Sequence, residues 1–507
     1  MPPRHVSIAN RQSPIGIMNI LFAASEVFPF AKTGGLADFT SSLSTSLRDL
    51  GHSVRVITPK YKTTDEHSFQ LSPVIEQLEI PISNRFETCS ILEGQLEGNI
   101  PVYFVKHDPY YHRDHLYGDD QGDYPDNAER FIYFSRGIPD ICKALNFSPD
   151  ILHCHDWQTG LVPVYLQKLY HDDPFFERTA TVFTVYNLSH QGLFWHYDMH
   201  LTGLGWDLFT PDGLEYYGKI NLMKGGLLWS DILTTISPTY SQDIQNKEHG
   251  NGLEGVFQYR SDDLYGVVNG IDETNWNPAS DPFIPKNYRI RSLSGKKSCK
   301  KRLLKEFDLP VDLAKPVLGM VSHFNTQKGA NLLAEILAPL MELDLYLILM
   351  GTGHEKYHTL FHRIREKHPK KIGLRLEYDT SLEHRILAGS DILLIPSQYE
   401  PGGGQQMHSL KYGTMPIVHA ASGVDDIVKA LDCANQTGTG IVFTTCEAVL
   451  FLDAIKKGLQ VYHDKPCWKA FQQRAMAEDF SWDCSARAYE VLYRKAREKL
   501  SATAISP

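Results

Sequence analysis

From Met18 onward, short runs of β-branched and other apolar residues alternate with longer segments whose apolar positions recur every three or four residues. The runs Asn19 to Ala24, Ser53 to Thr58, Val102 to Val105, Ile151 to Cys154, Thr181 to Val185, Ile232 to Ile236 and Tyr265 to Val268 have strand length and few polar interruptions. That is the pattern of parallel strands buried on both faces. Between the first two, Leu36, Phe39, Leu43, Leu47 and Leu50 share one face of a helix that Gly51 ends. Strand, helix and strand in this order make a right-handed crossover unit. The alternation pauses over Asp272 to Lys300, a polar stretch with Pro278, Pro282 and Pro285, and restarts as Pro316 to Val321, Leu345 to Met350, Asp391 to Ile395 and Pro416 to Val418. A proline-punctuated connector between two α/β series marks a domain boundary. The pattern therefore predicts an α/β protein of two Rossmann-like domains, with parallel sheets facing across a central cleft. The N-terminal domain is expected over 18–275 and the C-terminal one over 276–479, after a tail at 1–17.

Composition narrows the function classes. A chain of 507 residues supports two to four units with cores of their own. The balance of 50 Lys+Arg against 60 Asp+Glu, net −10, has no dense basic face and argues against a nucleic-acid reader. No run approaches the length of a membrane-spanning helix. The eight cysteines show no C-x-x-C pair, so buried free thiols in a reducing, cytoplasmic setting are expected. The polar first 17 residues lack a secretory apolar core, and Met18 is an alternative start. Oligomeric state leaves no mark in the pattern.

In such sheets ligands bind beyond the carboxyl ends of the strands. The first loop there is Lys32-Thr33-Gly34-Gly35-Leu36-Ala37-Asp38. Adjacent glycines, a following helix start and Lys32 suit a diphosphate, although a plain tight turn has the same glycines. It is not G-x-G-x-x-G, which argues against an NAD enzyme. His153-Cys154-His155-Asp156-Trp157-Gln158 ends another strand. Its histidines at i and i+2 point the same way and suit zinc, whereas His155 with Asp156 suits sugar hydroxyls; no third metal ligand sits at a familiar spacing. Tyr186 to Gly192 and Ser322 to Gly329 follow strands in the two domains, and Lys328 is placed either to neutralise a phosphate or to face solvent. Glu400-Pro401-Gly402-Gly403-Gly404-Gln405-Gln406 precedes a helix; its bare amides and carboxylate suit phosphate and sugar hydroxyls, or form a flexible loop.

Taken together, Lys32 to Asp38, His153 to Gly160, Asn187 to Gly192, Val268 to Asp272, Gln327 to Gly329, Glu400-Pro401 and Lys411-Tyr412-Gly413-Thr414 resemble the bacterial glycogen synthase and plant starch synthase family, from Met18 to about Arg497. The resemblance implies the GT-B fold, with a C-terminal helix over 480–500 that crosses back to the first domain. It implies transfer of glucose from ADP-glucose to the non-reducing 4-hydroxyl of an α-1,4-glucan, with retention and without a metal or cofactor. By the same likeness Lys32 and Lys328 hold the diphosphate, Tyr378 stacks on adenine and Glu400 binds the donor glucose. Gly34, Gly35, Gly402, Gly403, Gly404 and Gln405 belong to the donor side, and Asp38, His155, Asp156, Asn187 and Gln191 to the sugar site. Lys328, Glu400, Tyr186 and His323 make up the catalytic set.

The chain departs from the family pattern at several of these positions. Tyr186 stands where the family has His, His323 where it has Arg, and Gly402, Gly404 and Gln405 where it has Cys, Leu and Thr; His419 replaces a usual Arg. Arg is permanently cationic and grips phosphate bidentately, which His does not. A catalytically silent relative that binds glucan or nucleotide sugar and regulates a partner enzyme is the second reading.

Overall fold

The computed structural model describes residues 16–398, 402–420 and 423–505. These form two compact units: one holds the chain up to Gly270 together with Trp482 onward, and the other runs Ile271–Ser481. The first unit contains, in chain order, β1 (Asn19–Ala23), β2 (Ser53–Pro59), β3 (Ser72–Ile82), β4 (Arg85–Leu96), β5 (Ile100–Lys106), β6 (Gly118–Asp119), β7 (Gly122–Asp123), β8 (Ile151–His155), β9 (Ala180–Val185), β10 (Leu193–Trp195), β11 (Glu215–Tyr216), β12 (Lys219–Asn221), β13 (Ile232–Thr235) and β14 (Leu264–Gly266).

Its main sheet has nine strands in the order β14-β13-β9-β8-β1-β2-β5-β4-β3. From β14 to β5 the neighbours are parallel, and these strands are the apolar runs read from the sequence. The antiparallel edge of β4 and β3 was not anticipated. β3 is largely exposed and carries Glu76 and Glu79, so it lacks the continuous apolar run that marks a doubly covered strand. The helix Gly35–Asp49 buries Leu36, Phe39, Leu43 and Leu47 as its spacing predicts, and Gly51 closes it with a φ of 98° that favours glycine. The long helix Trp482–Ile505 packs into this same unit, where Tyr489, Leu492 and Tyr493 join Phe22 and Phe39 in one core. A separate three-stranded antiparallel sheet, β10-β12-β11, lies between β9 and β13 in the chain.

The second unit adds β15 (Val317–Val321), β16 (Tyr346–Met350), β17 (Ile372–Arg375), β18 (Ile392–Ile395), β19 (Met415–His419) and β20 (Ile441–Phe443). They form an all-parallel sheet in the order β17-β16-β15-β18-β19-β20. The sequence pattern shows its four inner strands; the short edges β17 and β20 carry too few apolar residues to stand out. This is the doubly wound order 3-2-1-4-5-6, and the parallel part of the first sheet repeats it with one strand more. In such a sheet the connections leave in opposite directions on either side of the first strand, which opens a crevice at the carboxyl ends there. That crevice lies between β1 and β8 in one unit and between β15 and β18 in the other.

The thiol reading needs correction. Cys433 and Cys467 are joined by a disulfide with their Cα atoms 5.5 Å apart, while the other six cysteines are not bridged. The pair is 34 residues apart in the chain, so no local spacing announces it.

The docking of the last helix in the first unit has a measurable consequence. Tyr493 is fully buried and its hydroxyl meets His153 Nδ1 at 2.8 Å. Tyr493→Ala should cost about 3–5 kcal/mol and Tyr493→Phe about 1–2 kcal/mol, read as the midpoint of denaturant unfolding. Equal costs would mean that the ring contributes no packing.

Candidate active site

At the β1/β8 crevice a pocket of about 460 Å³ is lined by the loops that follow β1, β8 and β9, including Gly34, Gly35, Asp156, Tyr186, Asn187 and Gln191. Asp156 follows β8 directly, with φ 53° and ψ −174°, a backbone conformation that side-chain-bearing residues rarely adopt. Holding it there costs of order 1–3 kcal/mol. Its Oδ1 accepts from the Tyr186 N–H at 2.7 Å and the Asn187 N–H at 3.4 Å. Burial pushes its carboxyl up to about 7, against the two amides, which favour the charged form.

The glycine loop is organised by a residue that sequence reasoning passed over. Glu26, buried just beyond β1, accepts from the Thr33 N–H at 2.6 Å, the Gly34 N–H at 3.1 Å and the Thr33 hydroxyl at 2.7 Å. Tyr117 donates to it as well, at 2.8 Å. The cradle expected at Thr33-Gly34 for an anionic ligand is therefore filled by the chain's own carboxylate. The visible signal was an acid at the carboxyl end of the first strand, three residues past Ala23.

Gly35 also makes room for a neighbouring side chain. A Cβ there would lie 2.2 Å from the Tyr186 hydroxyl, so the phenol rests against the first turn of the helix. Gln191 lines the pocket, but its side-chain nitrogen donates to the carbonyls of Leu188 and Asn251 and its oxygen accepts from Asn221. It holds the loop in place.

Three expected residues lie elsewhere. Lys32 and Asp38 do not line the pocket; they pair with each other at 2.7 Å, both about half exposed. A pair of that kind is worth about 1 kcal/mol or less, so an incoming anion can take Lys32 from it. His155 is withdrawn from the sugar-binding set. It is fully buried, its ring stacks on Phe22 and meets Phe39 edge-on, and burial lowers it to about 3. A strand residue facing the core cannot also face the crevice. His153 has both ring nitrogens engaged, by Tyr493 and by Thr184. Among the described residues no group of three His, Cys, Asp or Glu side chains could hold a metal ion.

In the second unit the loops after β15 and β18 are packed together. Gln398 N–H donates to the Gln327 carbonyl at 2.8 Å, and a Cβ on Gly329, whose φ is 76°, would strike the Pro396 carbonyl. Lys328 is half-buried here, one residue before the glycine that precedes helix Ala330–Glu342, and its N–H donates to Asn325 Oδ1. Gly403, with φ 58°, precedes helix Gly404–Lys411, and Gly404 has open space around it. Gln405 donates to the Val321 carbonyl at the end of β15. Its side chain also bonds Glu383, which accepts from the Tyr378 hydroxyl at 2.6 Å. Glu383, absent from the sequence expectations, thus joins Tyr378 to Gln405 and leaves the Tyr378 ring more than half exposed. His323 is exposed and meets Thr352 at 3.2 Å, in the Gly351-Thr352-Gly353 turn after β16. That turn was also missed, although two glycines at a strand end were legible. Glu400 and Pro401 lie outside the described residues.

Two doubly wound sheets, each with glycine and polar loops at its switch point, are the architecture of the GT-B class, and the matches to known proteins make this chain a glycosyltransferase of that class. The family model for the starch synthase catalytic domain matches residues 19–259, and that for group 1 glycosyl transferases matches 302–469. The chain is 42% identical over 481 residues to a glycogen synthase of Koribacter versatilis, covering 95% of this chain and 99% of that protein. It is 40% identical over 489 residues to a glycogen synthase of Thermotoga maritima, covering 95% and 100%. The solved catalytic domain of starch synthase IV from Arabidopsis thaliana, bound to ADP and acarbose, superposes with a TM-score of 0.83 at 31% identity over 95% of this chain and all of that one. The chain belongs to the glycogen and starch synthase family.

The raised Asp156 carboxyl predicts a pH effect on stability. Between the unfolded value of about 4 and the folded value of about 7, the folded protein keeps a proton that the unfolded chain has lost. The group therefore favours folding most at low pH, and the advantage is lost as pH rises through about 7. Asp156→Asn keeps an acceptor for the Tyr186 N–H and titrates nothing. Its melting temperature should gain on the wild type by on the order of 5 °C between about pH 5 and pH 8. The same offset at both pH values would contradict a raised carboxyl.

Proposed function

We propose that the chain transfers glucose from ADP-glucose to the non-reducing 4-hydroxyl of an α-1,4-glucan, with retention at the transferred carbon. The observation that carries this reading is the pocket at the β1/β8 switch point, where a buried carboxyl, Asp156, organises the Tyr186-Asn187 loop beside polar groups suited to sugar hydroxyls. Asp38, Asp156 and Asn187 would then serve the sugar, with Gln191 fixing the loop.

On the donor side, Lys328 and the amides at Gly402 to Gly404 would neutralise the leaving diphosphate at a helix start. Lys32, once released from Asp38, would bind phosphate charge, and Glu400 would accept from the donor glucose. Tyr378, held at its hydroxyl by Glu383 with its ring exposed, suits stacking on adenine. The ADP bound by the starch synthase of Arabidopsis supports adenosine as the nucleoside. The unit that ends its first stretch at Gly270, rather than at the 275 expected from the sequence, would form the acceptor-side domain, and Ile271–Ser481 the donor domain.

Incubation with radiolabelled ADP-glucose or UDP-glucose and glycogen tests the reading; label should enter polymer from ADP-glucose, and from UDP-glucose at a small fraction of that rate. Binding without transfer from either donor would return the regulatory reading. A guanidinium at position 323 would grip phosphate with about 1.5–3 kcal/mol more than an imidazole supplies, so His323→Arg should raise turnover about ten- to two-hundred-fold. Tyr186→His lifts the phenol from Gly35 and should add to that gain. No gain in either variant would mean that the site works by a rearranged set of side chains.

A further inference from the structure

The acid that steadies Tyr378 also reaches the loops at the second unit's switch point. Glu383 lies in the first turn of helix Thr380–Gly389, which Asp379 caps by accepting from the Ser381 and Leu382 N–H groups. The helix dipole favours an acid there, but acids are seldom buried, and Glu383 is only 6% exposed. Burial raises its carboxyl, against bonds from Tyr378 and Gln405 that favour the charged form. The Tyr378 hydroxyl donates to it at 2.6 Å, and that phenol, pushed up to about 12 by burial and by the acid itself, keeps its proton. The Gln405 amide nitrogen carries two hydrogens; it donates to the Val321 carbonyl at 2.8 Å and to Glu383 as well. One line of bonds thus runs from the exposed ring of Tyr378 through Glu383 to Gln405, next to Gly404, and on to the end of β15, where the loop of His323 and Lys328 begins.

The two helices that carry this line are joined a second time. The Trp276 ring lies between those of His384 and His408, with centroids 3.8 Å and 4.0 Å away and interplanar angles of 6° and 14°. His384 follows Glu383, and His408 sits about one turn beyond Gln405. Asp281 anchors the stack, meeting His384 Nδ1 at 2.9 Å and accepting from the Tyr412 hydroxyl at 2.5 Å. The starts of helices Thr380–Gly389 and Gly404–Lys411 are therefore bridged by a hydrogen bond and by a buried ring stack. A displacement at one start is passed to the other, because packed rings leave no slack to absorb it.

Resting on the glucan-synthase reading above, we infer that Glu383 and Gln405 are positioning residues that couple the donor's base to its diphosphate. A base stacked on Tyr378 fixes the phenol, the phenol fixes Glu383, and Glu383 fixes the amide that ties the glycine loop to the end of β15. Diphosphate held by those loops fixes the same line from its other end, since a coupling between two parts of a ligand runs equally in both directions. The amide hydrogens of Gln405 are engaged within the protein, so it serves the donor through the loop it holds. Part of the binding energy of the base is then used to order the groups that meet the leaving diphosphate, which is where it accelerates transfer.

The test alters one end and probes the other. Tyr378→Phe keeps the ring for stacking and removes only the hydroxyl; calorimetric titration with inorganic pyrophosphate, which has no base, should show about fivefold weaker binding than to the wild type. Gln405→Leu should weaken the binding of adenosine, which has no phosphate, by about the same factor. Glu383→Ala should do both, and adding Tyr378→Phe to it should weaken pyrophosphate no further, because the hydroxyl has already lost its partner. In Glu383→Gln the new carbonyl accepts from Gln405 and the new amide donates to the phenol, so both probes should bind within about twofold of the wild type. Direct contact without coupling gives the opposite pattern: Tyr378→Phe silent toward pyrophosphate, or Gln405→Leu silent toward adenosine. Either result, or a wild type that binds neither probe, overturns the coupling. The Tyr378 ring is more than half exposed, so its variant is read in a folded protein. Neither titration uses transfer. Crossed effects in a protein that moves no label from ADP-glucose sink the synthase reading and leave the coupling standing, whereas transfer without crossed effects sinks the coupling alone.

Discussion

The first unit's crevice depends on one buried carboxyl. Asp156 leaves β8 in a strained conformation, gives up solvent, and accepts from the two amides that open the loop after β9. Those bonds set the start of the Tyr186 to Gln191 loop, and the Tyr186 phenol in turn lies against Gly35, at the start of the first helix. Three loops are thereby positioned from one side chain. Burying a carboxyl is costly unless it is hydrogen-bonded, and here the cost shows as a proton held up to about 7. Glu26 repeats the device on the glycine loop, where its carboxylate stands in for an anion before any ligand arrives.

The second unit reaches a comparable arrangement by a different route. Its switch-point loops carry few buried charges and are held by backbone approach, with Gly329 against Pro396 and Gln405 against the end of β15. One buried acid of this unit, Glu383, lies off the crevice loops and steadies Tyr378. Glycines and amides add donors without adding a competing anion, which suits the phosphate-binding role proposed for this region. Acids suit a region that receives neutral sugars.

Where the sequence was legible, periodicity or chain-local chemistry carried the information. The seven parallel strands of the first sheet and the four inner strands of the second are continuous apolar runs, because a strand covered on both faces has no polar side to show. The loops at their ends were found by glycine and charge alone. β3 and β4 escaped because they mix polar and apolar positions, and β17 and β20 because they are too short to stand out.

The amino-acid order by itself determined the doubly wound architecture, the family, and the loops at which ligands meet the sheets, since each is written in residues close together in the chain. The tertiary structure alone decided that His155 faces Phe22 and Phe39, that Glu26 fills the glycine cradle, that Lys32 is paired with Asp38, and that Cys433 reaches Cys467. These outcomes depend on which side of a strand faces the core and on which distant segments share a crevice. Both are fixed only when the sheet closes and burial forces each polar group to find a partner.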